Sequence, residues 1–95
     1  MVVPRMSESD FQSRVGDYAR LRGWLLWHEA DSRRNTAGLP DLIMLRERLV
    51  MAELKSASGR PTVQQRNVLA LLAAAGVESY LWRPADWNQV MEVLA

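Results

Sequence analysis

The sequence contains no cysteine, which excludes a disulfide framework and any thiolate metal centre. It has no apolar run approaching the roughly 20 residues that cross a bilayer. The stretch Met1–Arg5 is too short for a signal peptide, so the expected compartment is the cytoplasm, or a host's cytoplasm if the chain is phage-encoded. An excess of one charge is missing too. The net charge is +1, without the basic surplus that usually accompanies nucleic-acid binding. Lysine is scarcest of all: Lys55 stands alone, and every other basic side chain is an arginine or His28. Ninety-five residues make one small domain, residues 1–95, whose stability is modest because small domains leave much surface wet. Oligomerisation would offset that.

What is present reads as alternating elements. Ser7 can cap a helix to Arg22, in which Phe11, Val15, Tyr18 and Leu21 recur near the helical period and Gly23 follows as a stop. Trp24 to His28 reads as a strand, with His28 at its end as a structural rather than catalytic residue. Residues 29–37 are polar and read as a loop. Asp41 to Leu45 and Leu49 to Lys55 read as strands joined by Arg46-Glu47-Arg48. Thr62 opens a second helix through Ala75, with Gly76 as its C-terminal cap. Val77 to Trp82 is a fourth strand, and Pro84 starts a final helix to about Leu94. The order is α-β-β-β-α-β-α. Trp24, Trp27, Trp82 and Trp87 suit a core or an interface better than base stacking.

The middle hairpin is where chemistry is expected. If its turn centres on Glu47, then Asp41 and Glu53 stand opposite each other, with Cβ atoms about 4.5–5.5 Å apart. Two facing carboxylates repel unless something positive lies between them. A hard divalent cation such as Mg²⁺ fits, since it takes oxygen ligands from one or two carboxylates. Side chains alternate along a strand, so Glu53 and Lys55 share a face and Leu54 points to the core. The ammonium could then stabilise charge developing on a phosphate oxygen. Pro40 fixes the backbone just before Asp41, and Gly38 permits a close approach of backbone, such as to a phosphate.

Further residues have two readings each. Glu8 falls on the helix face of Phe11, Gln12 and Val15 and can lean toward a metal, or it is simply a favourable charge at a helix N-terminus. Gln65 completes a capping box with Thr62, and it could also order the loop beside Lys55. Arg33, Arg34, Arg46, Arg48, Arg60 and Arg66 crowd the middle of the sequence. They form either a solvated surface or a basic surround for the acids.

Pro40-Asp41, a hairpin and Glu53-Leu54-Lys55 resemble the signature of the PD-(D/E)XK nuclease superfamily. Ser7 to Gln12, Gly38 to Asp41, Gln65-Arg66, and Ala75-Gly76 through Trp82-Arg83-Pro84-Ala85-Asp86 extend the likeness over nearly the whole chain. With them the sequence resembles a stand-alone virus-type replication-repair nuclease (VRR-NUC) domain. Val63 stands where a proline often precedes the helix, and Asp10 where a glutamate is common, which leaves open which acid of the first helix matters. The resemblance implies an α/β, restriction-endonuclease-like core with a mixed sheet flanked by helices. It also implies a Mg²⁺- or Mn²⁺-dependent DNA endonuclease selective for branched or Holliday-junction-like DNA. In that reading Asp41, Glu53, Lys55 and Gln65 are catalytic. The metal is held by Asp41, Glu53 and the Leu54 carbonyl, with Glu8 contributing through water. Arg33, Arg34, Arg60, Arg66 and Gly38 meet DNA, and the protein is a homodimer. Two alternatives stand beside it: a DNA-binding or dimeric scaffold with a vestigial site, and, with poorer geometry because those arginines lie at the far end of the hairpin, a metal-free protein whose Asp41–Glu53 pair is held by Arg46 or Arg48.

Overall fold

A computed structural model describes residues 6–28 and 38–95. Three helices and four strands follow one another as α1 (Glu8–Leu21), β1 (Leu25–His28), β2 (Leu42–Leu45), β3 (Leu49–Leu54), α2 (Val63–Ala74), β4 (Glu78–Trp82) and α3 (Trp87–Leu94). A 3₁₀ turn over Pro84–Asp86 leads into α3, so the last helix begins three residues later than the proline suggests. The expected order of elements is otherwise the observed one.

The four strands form one sheet in the order β1-β2-β3-β4. The first three are antiparallel neighbours, and β4 runs parallel to β3. A parallel neighbour needs a crossover connection, which α2 supplies. The β2–β3 register pairs Leu42 with Ala52 and Leu45 with Leu49, which centres the hairpin on Glu47 as its sequence suggests.

Alternation gives the sheet two unlike faces. Leu42, Met44, Val50, Ala52, Leu54 and Trp82 point into a sealed core against Phe11, Val15 and Ala19 of α1 and Val90 and Leu94 of α3. Ser7 caps α1 by accepting the Asp10 N–H at 3.0 Å. The core's polar edges are satisfied. The Trp24 indole donates to the Leu94 carbonyl at 2.9 Å, and the Trp82 indole donates to Gln89 at 3.1 Å. The second face carries Leu25, Trp27, Ile43, Leu45, Leu49 and Met51, followed by Asp41 and Glu53. Helix α2 covers the β3–β4 side of it without fully burying any of its own residues. Toward β1 the face is open: Trp27 is 51% exposed and Leu25 57%. Trp24 and Trp82 are therefore core residues and Trp87 packs at the core's margin, whereas Trp27 is largely in solvent.

The connection into β2 is tied to α2. Gly38 has φ +92°, and a Cβ there would lie 2.6 Å from the Gln64 carbonyl oxygen. No side chain fits and the left-handed conformation disfavours one. The close approach that this glycine allows here is to the α2 backbone.

Candidate active site

Asp41 ends the segment Gly38-Leu39-Pro40 that packs against α2, and Pro40 beside it is fully buried. Continuing the β2–β3 register by one residue places Asp41 opposite Glu53. The Asp41 Oδ2 accepts the Leu54 N–H at 2.9 Å, which anchors the carboxylate across the hairpin. A strand residue's N–H and C=O project to the same side, so the Leu54 carbonyl is directed toward the Asp41 edge of β3.

Glu53 is the only charged residue buried among the described residues, at 1% exposure. Its Oε1 accepts a hydrogen bond from Gln65 Nε2 at 3.1 Å, and Lys55 Nζ stands 3.9 Å from the same oxygen. The other oxygen, Oε2, is buried with no hydrogen-bond partner. Burial pushes the Glu53 carboxyl up to about 9, and the hydrogen-bonding and charge of the adjacent Asp41 carboxyl add to the rise, against a lowering by Lys55. Without a cation, then, Glu53 favours its protonated form near neutrality. A buried carboxylate oxygen with no donor is costly to retain for structure alone.

Lys55 extends from the end of β3, its N–H donating to the Trp82 carbonyl at 3.0 Å. Its side chain is 14% exposed, and Nζ lies 3.9 Å from Glu8 Oε1 as well as from Glu53. Of the two acids in the first turn of α1, Glu8 is thus the one that reaches the site; Asp10 is exposed, and its backbone is used in the Ser7 cap. Glu8 meets the lysine, and among the described residues no three acidic or histidine side chains cluster closely enough to share an ion.

Gln65 does both things its sequence position allows. Its Oε1 accepts the Thr62 N–H at 2.8 Å while its own N–H donates to Thr62 Oγ1 at 3.1 Å, completing the capping box of α2. The same side chain's Nε2 then reaches Glu53. One amide starts the helix and orients the buried acid.

The arginines divide. Arg60, on the loop after Lys55, and Arg66, next to Gln65, are exposed on the α2 side. Arg33 and Arg34 lie outside the described residues, as does the polar loop 29–37. Arg46 and Arg48 do not surround the site. They occupy the far end of the hairpin, where Arg48 Nε donates to Glu78 at 2.8 Å and Arg46 donates to the Arg22 and Ala95 carbonyls at 2.9 and 3.0 Å. Glu53 lies five positions beyond Arg48, about 17 Å along an extended strand, so neither arginine neutralises the acid pair. One residue was missed in reading the sequence functionally: Arg83, whose Nη1 donates to the Ser56 and Gly59 carbonyls. Its place in Trp82-Arg83-Pro84 was the available signal.

A mixed sheet with helices on both faces, carrying two facing acids and a lysine at the open end of a hairpin, has restriction-endonuclease-like architecture. The structure is similar to a solved "VRR_NUC domain protein" with a TM-score of 0.76 and 20% sequence identity, covering 96% of this chain and 87% of that one. The fold is accordingly of the VRR_NUC type. No protein-family model matches the sequence, and no curated protein matches it significantly.

Proposed function

We propose that this protein is a metal-dependent DNA endonuclease whose site is Asp41, Glu53, Lys55 and Gln65. The observation that carries the proposal is the Glu53 carboxylate, buried beside Asp41 with Oε2 lacking any donor. The donor set, two carboxylates and a backbone carbonyl, suits a hard divalent ion. Asp41, Glu53 and the Leu54 carbonyl would hold Mg²⁺ or Mn²⁺. When bound, such an ion polarises a phosphate and lowers the pKa of coordinated water.

The chain's own residues do the rest. Lys55 presents an ammonium to the phosphate oxygen on which charge accumulates. Glu8 keeps that ammonium on the site side of the strand, and Gln65 fixes the Glu53 carboxylate. Arg60 and Arg66 meet neighbouring phosphates, where each contact adds salt-dependent affinity. An apolar recess of about 440 Å³ adjoins Asp41 and is lined by Trp27, His28, Leu39, Pro40 and Ile43. Selectivity for branched DNA and a homodimer belong to the same reading. The dimer is supported by the open apolar face around Leu25, Trp27 and Leu45, and two-fold symmetry suits a symmetric junction.

The test is incubation of the purified protein with plasmid, flaps, splayed arms and four-way junctions, in Mn²⁺ or in chelator. Cleavage that appears only with the ion, and that Asp41→Asn and Lys55→Ala both abolish, supports the reading. Equal cleavage by parent and both variants places the site elsewhere. Sedimentation as a monomer at micromolar concentration would remove the dimer.

A further inference from the structure

Three of the four proposed site residues hang on one connection. Glu53 lies near the end of β3 and Lys55 directly follows it, Gln65 lies in the first turn of α2, and residues 56–61 join them. Nothing in that loop belongs to the core. It runs Ser56-Ala57-Ser58-Gly59-Arg60-Pro61 with three of its residues exposed. Its internal support is one local bond, from the Gly59 N–H to Ser56 Oγ at 3.0 Å.

External support comes from the end of β4. Arg83 Nη1 donates to the Ser56 carbonyl at 2.7 Å and to the Gly59 carbonyl at 2.5 Å. The arginine is itself fixed, because its backbone N–H donates to Asp86 Oδ2 at 2.8 Å and the Asp86 N–H returns to the Arg83 carbonyl at 2.8 Å. One residue earlier, the Trp82 carbonyl accepts the Lys55 N–H. The clamped turn also packs on the lysine: a Cβ on Gly59 would lie 3.6 Å from Lys55 Cδ. A guanidinium donating to two carbonyls at once makes strong, charge-assisted bonds.

From this geometry we infer that Arg83 is a positioning residue for the candidate nuclease site: by clamping the Ser56–Gly59 turn it holds the Lys55 ammonium, and the start of α2 that carries Gln65, against Glu53. It touches neither acid and acts through the loop. The inference rests on the proposed nuclease reading for its catalytic consequence, but the clamp itself is a property of the metal-free chain.

The experiment compares parent, Arg83→Met, Arg83→Lys and Ser56→Ala as full chains. Amide exchange without metal reads the clamp directly. Arg83→Met is expected to speed exchange at Gly59, whose N–H bonds Ser56 Oγ, while core strand β3 keeps its protection. Arg83→Lys should restore part of the protection, since an ammonium can still donate to a carbonyl. In Mn²⁺, Arg83→Met should lower kcat about 10–10²-fold, the scale of misplacing a reacting group by about 1 Å, with KM for DNA and Mn²⁺ affinity by calorimetry unchanged. Ser56→Ala removes the acceptor of the Gly59 N–H itself, so exchange there rises in any case, and its kcat should fall by less than that of Arg83→Met; Arg83→Lys decides the matter if Arg83→Met does not fold. Unchanged exchange over 56–60, or a loss expressed only in KM, overturns the inference. A parent that never cleaves DNA overturns the nuclease reading instead and leaves the exchange result to judge the clamp.

Discussion

At the closed end of the β2–β3 hairpin an acid stands between two bases; at the open end two acids stand together. Glu47 accepts from Arg46 Nη2 at 2.6 Å and lies 3.4 Å from Arg48 Nη1. The Arg46 hydrogen bond is the main cause that pulls its carboxyl down to about 2. All three side chains are solvated. At the open end Glu53 is sealed from water, faces another carboxylate and is pushed up to about 9. The same hairpin thus shows charge arranged for the fold and charge arranged against it. Surface pairs such as those of Glu47 contribute little. A buried, under-satisfied acid costs stability, and sites that keep such groups are where function is expected.

The largest effects should come from the open end. Lys55→Ala is expected to fold, to retain DNA binding by mobility shift, and to lose about 10²–10³ in cleavage rate. Full activity in that variant would make the two ends equivalent again and sink the comparison. Next is the pH response of the metal-free protein. Glu53 has a folded value of about 9 against an ordinary 4.5. Because the folded value is raised, its contribution to stability is complete below pH 4.5 and is lost as pH rises through 9. Urea midpoints in chelator should therefore fall across that window. Glu53→Gln should flatten the fall while abolishing Mn²⁺ binding in calorimetry. A parent profile already flat from pH 5 to 9 would mean that the acid is not strained.

At the closed end, Arg48→Ala removes the bonds to Glu78 and to the Val93 carbonyl. Loss of about 1 kcal/mol would lower Tm by about 4–8 °C for a domain of this size, with kcat of the folded protein unchanged. A fall in kcat at a temperature where the variant is fully folded would show that the hairpin's ends communicate. Glu47→Gln should do least, leaving Tm and cleavage within error of the parent.

The open end was legible in the sequence because it depends on local rules. The strand alternation of Leu49 to Lys55 and the symmetry of Asp41 and Glu53 about Glu47 suffice to oppose the acids, even with no glycine in the turn. Gln65 was legible as a cap from Thr62, and as a site residue only by likeness to a family pattern. The same hairpin geometry already puts Arg46 and Arg48 a strand's length from Glu53. What sequence could not show was which distant segments meet. The residue that Gly38 accommodates is Gln64, and the carbonyls that Arg83 holds belong to Ser56 and Gly59. Contacts across such separations have no periodic signature. The exposure of Trp27 was hidden for a related reason: an apolar strand reads the same whether or not a helix covers its outer face.

The amide of Gln65 also narrows the paths by which this chain can drift. Glutamate there would still receive the Thr62 N–H but would set a third anion against Glu53, and alanine would surrender both partners together. Neither substitution keeps both bonds, so a single position carries two penalties for one mutation. An ordered first helical turn and the one amide bond to the buried acid become inseparable at that side chain.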